Sequence, residues 1–138
     1  MDKISITPTY KTPRVLFDPE NFQFELEGDS RPEDVRKFYY PILDALSEFL
    51  EAVTHPLEKK YEENTFNFKF RLGYFNSASA KFIFDILSLA KKMHDNKLRV
   101  KVLWCFEEDE DDVKDAGEEF SEILHFPFSY VMISSSDD

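Results

Sequence analysis

From residue 65 to 72 the chain alternates without a break, with Phe66, Phe68, Phe70 and Leu72 on one side and Asn67, Lys69 and Arg71 on the other. A period of two predicts a strand with one buried face. Immediately afterwards Phe82, Ile83, Ile86, Leu87, Leu89, Ala90 and Met93 recur at helical spacing, which predicts an amphipathic helix from 77 to about 93. The same two periods divide the rest. Residues 4–10 are β-prone and suit a sheet edge because they contain Pro8. After Lys11-Thr12-Pro13, segments 14–18 and 22–27 form a hairpin around Asp18-Pro19-Glu20-Asn21, ended by Gly28-Asp29-Ser30-Arg31. A helix from about Pro32 to just before Pro56 carries Val35, Phe38, Tyr39, Ile42, Leu46, Phe49, Leu50 and Val53 as one stripe, and Pro41 within it is expected to kink it or mark a boundary. Residues 57–63 are charged and read as an exposed helix extension or loop.

Segment 98–106 begins alternating and becomes continuously apolar, as an interior strand does. A last helix, about 110–124, points Val113, Ala116, Phe120, Ile123 and Leu124 inward; 128–133 closes the chain as a strand, and 134–138 reads as a frayed tail. The order β-β-β-α-β-α-β-α-β predicts one α/β domain over 1–138, with its core from about 7 to 131. Its mixed sheet combines an N-terminal hairpin with parallel βαβ strands, covered by about three helices mostly on one side.

Charge narrows the partners. With 17 basic against 28 acidic residues the net charge is −11, which disfavours nucleic acid and anionic membrane surfaces and leaves proteins, cations and small molecules. The single cysteine, Cys105, rules out an intrachain disulfide and suits a reducing cytoplasm. No signal sequence and no run of 18 apolar residues occurs, so a soluble cytoplasmic protein is expected. Only 3 glycines are present, too few for a Gly-rich phosphate loop, and no cofactor is expected.

The candidate chemistry lies where the alternating strand meets the helix, in Leu72-Gly73-Tyr74-Phe75-Asn76-Ser77-Ala78-Ser79-Ala80-Lys81. A helix N-terminus has unpaired N–H groups and favours negative charge. Ser77 there either caps the helix or carries a phosphate, two roles that are compatible. Tyr74 and Phe75 offer aromatic area for an interface or for ordinary core packing. The acidic run from Glu107 to Asp112 suggests a divalent-metal site through Asp109, Asp111 and Asp112, but it lacks the glycine and ligand spacing of an EF-hand loop. A solvated loop leading into a helix N-terminus explains it better. If strands 65–72 and 98–106 are parallel neighbours, this loop stands near Ser77. Cys105 reads as a buried, inert thiol, and His55, His94 and His125 have no metal-ligand spacing.

Several stretches in order resemble one family: Thr12-Pro13-Arg14-Val15 before Phe17-Asp18-Pro19-Glu20, Phe38-Tyr39 with Pro41 and Leu43-Asp44, Tyr74 through Lys81, and Asp115-Ala116-Gly117-Glu118-Glu119-Phe120. Together, over about Thr7 to Val131, they resemble the SiaC family of bacterial regulatory phosphoproteins. The resemblance implies a STAS-like fold and a non-enzymatic partner-switching role. It implies a dedicated protein kinase that phosphorylates the hydroxyl after the Asn of this loop, and a PP2C-type phosphatase that reverses it. The unphosphorylated form would bind an effector, in the best-known case a diguanylate cyclase that it activates, linking the chain to cyclic-di-GMP signalling. By position the phosphoacceptor is Ser77, with Tyr74, Phe75, Asn76 and Ala78 as partner-binding neighbours. The family often has Thr at 77 and Ser at 78; with Ala78 here, Ser79 is the runner-up acceptor. The competing readings are a constitutive interaction module and a small metal-dependent enzyme using the acidic loop.

Overall fold

A computed structural model describes residues 2–134. Among these residues six strands form one sheet in the order in which they occur: β1 (Ile4–Ile6), β2 (Arg14–Asp18), β3 (Gln23–Ser30), β4 (Phe66–Phe75), β5 (Val100–Glu107) and β6 (Ser129–Ile133). The first three pair antiparallel, and β3 through β6 pair parallel. Four α-helices complete the fold, α1 (Val35–Thr54), α2 (Lys59–Glu63), α3 (Ser77–Asp95) and α4 (Asp111–Leu124), one more than expected. Among the described residues no helix is long and apolar enough to cross a membrane.

Each crossover from β3 onward advances one strand in the same direction. Because such connections are right-handed, they put α1, α3 and α4 on a single face. That face is apolar: Val15, Phe17, Phe24, Leu26, Phe66, Phe68, Phe70, Val102 and Trp104 are essentially inaccessible to solvent. Among the described residues no helix covers the opposite face, which holds Asn67, Lys69 and Arg71 of β4 together with Leu103 and Cys105 of β5 in register with Lys69 and Arg71. There Arg14 meets Glu25 at 2.8 Å, and Lys69 meets Glu27 at 3.4 Å. Such pairs, partly exposed to solvent, contribute about 0–1 kcal/mol each, so the aromatic face dominates the stability.

Several boundaries move for identifiable reasons. β1 ends at Ile6 rather than at Tyr10, since it has a partner on one side only. The hairpin turn is a short 3₁₀ segment, Pro19–Asn21, after which Phe22 takes a left-handed conformation (φ 58°). β3 continues beyond the expected end at Glu27, because β4 pairs with it as far as Ser30↔Phe75, with a register shift after Gly28. Gly28 itself has φ 113°, where a side chain would be strained. α1 begins at Val35 rather than Pro32, capped by Asp34, whose carboxylate accepts the Lys37 N–H at 3.1 Å. Pro41 is not a boundary: the helix runs through it, with the proline exposed and Tyr39, Ile42 and Leu46 buried on either side.

The 57–63 segment is not merely exposed. Within α2, Tyr61 is buried against Phe49 with ring centroids 5.0 Å apart, and its hydroxyl donates to the Pro19 carbonyl at 3.2 Å. On α4 the inward residues are Val113 and Gly117, with Ala116, Phe120 and Leu124 partly buried, whereas Ile123, expected inward, is exposed. The expected tail lies, beyond Ser134, outside the described residues.

Candidate functional site

β4 runs three residues past the end that the alternation suggested, so Gly73, Tyr74 and Phe75 belong to the strand. Gly73 has a packing role. A Cβ on it would lie 2.4 Å from the Asp29 carboxylate, which accepts the Tyr74 N–H at 3.0 Å. Tyr74 is exposed, while Phe75 is partly buried against the core. The chain then turns into α3 at Asn76, and Asn76 rather than Ser77 is the cap: its side-chain oxygen accepts the Ser79 N–H at 2.9 Å. Ser77 is thus the first helical residue, and both it and Ala78 are exposed.

Ser79 faces the other way and is fully buried. Its hydroxyl accepts a hydrogen bond from Ser30 at 2.9 Å. Since that uses the only Ser30 hydroxyl proton, the Tyr39 phenol is the donor in its own bond to Ser30. The Ser30 carbonyl also accepts the Asn76 N–H at 3.2 Å. Ser30, at the end of β3, therefore fastens the turn on both sides of Ser77. Tyr39 lies flat on Phe82 of α3, with rings 5.5 Å apart and 4° from parallel. Neither Ser30 nor Tyr39 stood out in the sequence as a site residue. The signal was a tyrosine on an otherwise apolar helical stripe, whose hydroxyl needs a partner once buried.

Burial pushes the Tyr39 phenol up to about 12 from 10.0, against the opposing effect of its hydroxyl neighbours. A folded-state value above the unfolded one contributes stability that is complete below the unfolded pKa of 10.0 and is lost as pH rises through about 12. Over that window the wild-type melting temperature is expected to fall more steeply than that of Tyr39→Phe, and parallel pH–melting curves would contradict this. At neutral pH the same variant is expected to cost roughly 1 kcal/mol through the lost hydrogen bond.

β4 and β5 are parallel neighbours, so the loop after β5 shares an edge of the sheet with the Asn76–Ser77 turn. An open cleft of about 700 Å³ separates the two sides, with Tyr74 and Phe75 on one wall and residues 109–112 on the other. Burial, followed by the charges of Glu107, Asp109 and Asp29, pushes the Glu110 carboxyl up. The aspartates proposed for a metal, Asp109, Asp111 and Asp112, line this wall, but among the described residues no three His, Cys, Asp or Glu side chains converge as a metal site. Asp111 and Asp112 instead occupy the first turn of α4, where negative charge suits the dipole. Cys105 is buried, and burial raises its thiol pKa, which leaves it a poor nucleophile.

Comparison with known proteins agrees with this architecture. Residues 6–133 match the family described as SiaC family regulatory phosphoprotein. An uncharacterized protein of Pseudomonas aeruginosa (strain UCBPP-PA14) is 30% identical over 129 residues, covering 94% of this chain and 95% of that protein. The crystal structure of apo-SiaC from Pseudomonas aeruginosa is similar with a TM-score of 0.78 at 27% identity, over 95% of this chain and 99% of that one. A chain in the crystal structure of the diguanylate cyclase SiaD in complex with its activator SiaC, also from Pseudomonas aeruginosa, has a TM-score of 0.79 at 26% identity, over 94% of this chain and 99% of that one.

Proposed function

This chain belongs to the SiaC family of regulatory phosphoproteins, and from that premise we propose that it is a non-enzymatic cytoplasmic switch acting through reversible phosphorylation of Ser77. A dedicated protein kinase adds the phosphate, a PP2C-type phosphatase removes it, and the unphosphorylated form binds and regulates an effector. A diguanylate cyclase is the first effector to test, since a SiaC relative is an activator of one.

The observation that carries this reading is the contrast between two serines two residues apart. The Ser77 side chain is exposed at the first position of α3, whereas Ser79 is sealed beneath the turn and hydrogen-bonded to Ser30. A kinase can reach the first without disturbing the fold and cannot reach the second. A phosphate at Ser77 brings roughly −1.5 to −2 charges to amides that can accept them. It also adds negative charge beside a cleft whose far wall is already acidic. An effector that docks on exposed Tyr74 and on Asn76 and Ala78, with Phe75 supporting them from beneath, then meets a bulky anion in place of a small neutral hydroxyl.

The test compares Ser77→Ala and Ser77→Asp for binding to a diguanylate cyclase from the same genome by isothermal titration. Alanine is expected to leave affinity unchanged, and aspartate to weaken it by about 1 kcal/mol or more, roughly fivefold. Equal affinities would favour a constitutive interaction module. Phosphosite mass spectrometry after co-expression with the kinase should find the modification at Ser77, and finding it at Ser79 would sink the assignment.

A further inference from the structure

We propose that the free edge of β6 is a second docking site, which takes up an extended segment of a partner protein bearing alternating apolar and basic residues as a seventh strand. β6 ends the sheet, and among the described residues no strand lies beyond it. Its sequence, Ser129-Tyr130-Val131-Met132-Ile133, holds no charge and no proline. Tyr130, Val131 and Met132 are 40%, 39% and 61% exposed. Sheets ordinarily blunt such an edge with charged residues, proline or brevity. The opposite edge follows that rule, because β1 has three residues and Pro8 comes soon after. β6 does not.

The backbone direction identifies which groups await a partner. The Ile133 carbonyl accepts the Glu108 N–H at 3.1 Å, so Ile133 directs its peptide groups towards β5. Successive residues of a strand point these groups to alternate sides. Tyr130 and Met132 therefore turn their N–H and C=O outward, to the open edge. This is the geometry of strand addition, in which main-chain hydrogen bonds supply affinity and alternate side chains supply selectivity.

Charge decides the occupant. α4 carries six carboxylates and one lysine, and Glu107 and Glu108 lie where β6 ends. A second copy of this chain would bring a further net charge of −11 to the same place. A segment with lysine or arginine between its apolar residues is attracted instead, over the roughly 8 Å that salt leaves unscreened at physiological strength. The site lies on β6, two strands from β4 and the Ser77 turn, so its occupation does not depend on the phosphorylation reading.

The probe is a fluorescein-labelled eight-residue peptide of alternating valine and lysine, titrated into the full chain. Anisotropy gives the affinity, and nitrogen–proton correlation spectra map the contact. The amides of Tyr130 and Met132 are expected to shift most, with affinity falling about tenfold between roughly 50 and 300 mM salt. A valine–glutamate peptide is expected not to bind. Met132→Pro removes an outward N–H while sparing the bonds to β5, a placement that edge strands tolerate, and is expected to lose binding about tenfold at unchanged melting temperature. Should that variant melt early, the wild-type shift map decides. Shifts confined to residues 107–112, or undiminished binding by a stably folded Met132→Pro, would overturn the proposal. So would self-association through β6 in sedimentation.

Discussion

Phe70→Ala is expected to destabilise the protein by about 3–5 kcal/mol, the range for emptying a large aromatic site in a packed core. Phe70 is fully buried at the centre of β4, with its ring 6.1 Å from that of Phe24 on β3 and 5.7 Å from that of Trp104 on β5. It therefore ties together the three central strands, and the rings around it cannot close the gap without moving a strand. For a chain of this size such a loss lowers the melting temperature by roughly 10–20 °C, and much of a typical total stability of about 5–15 kcal/mol goes with it. Thermal unfolding followed by circular dichroism checks this. A drop of only a few degrees would mean that the aromatic face repacks freely. Because β4 also delivers the Asn76–Ser77 turn, the variant should show broadened amide signals there before global unfolding.

Gly117→Ala is the second large effect, and here two opposing terms must be weighed. Alanine in place of glycine inside a helix is worth about 1 kcal/mol in favour of the variant. Against this, a Cβ at 117 would lie 2.4 Å from the Trp104 indole nitrogen and 2.5 Å from the adjacent ring carbon. That indole is fully buried and donates to the Val113 carbonyl at 2.8 Å, so it has no free end to swing aside. Overpacking costs about 1–3 kcal/mol, and an indole N–H pulled off its acceptor about 1–3 kcal/mol more. The net expectation is a loss of roughly 1–5 kcal/mol, measurable as a shift in the urea midpoint, together with a changed Trp104 fluorescence. Unchanged or increased stability would show that α4 can lift from the sheet at little cost. Lifting would in turn move Asp111 and Asp112, which line the cleft opposite Tyr74.

The alternation of β4 and the helical stripe of α3 were legible because each reports burial against one flat apolar surface, and both elements lie where the pattern put them. Boundaries were less legible. β3 runs on to Ser30 through Gly28 and Asp29, residues that look like a turn, because β4 supplies a pairing partner more than thirty-five residues away in sequence. Tyr61 was hidden among charged neighbours, since a single buried ring leaves no periodicity. At the candidate site the strand-to-helix turn can be read, but the sequence offers Ser77 as a possible cap where the structure uses Asn76. Either residue type caps a helix, and only backbone coordinates tell which one precedes the first turn.

By itself, the sequence determined the class of fold, the position of the strand-to-helix turn and the acidic surface, because these follow from periodicity, composition and short-range order, while the family was legible only through the resemblance of several short stretches in the right order. Tertiary structure alone decided that Ser79 is sealed while Ser77 is open, that Ser30 and Tyr39 hold the turn, and that among the described residues no strand pairs with the outer side of β6. Those properties depend on which distant backbones come to lie beside one another, and a local pattern of residues carries no record of its neighbours across the sheet.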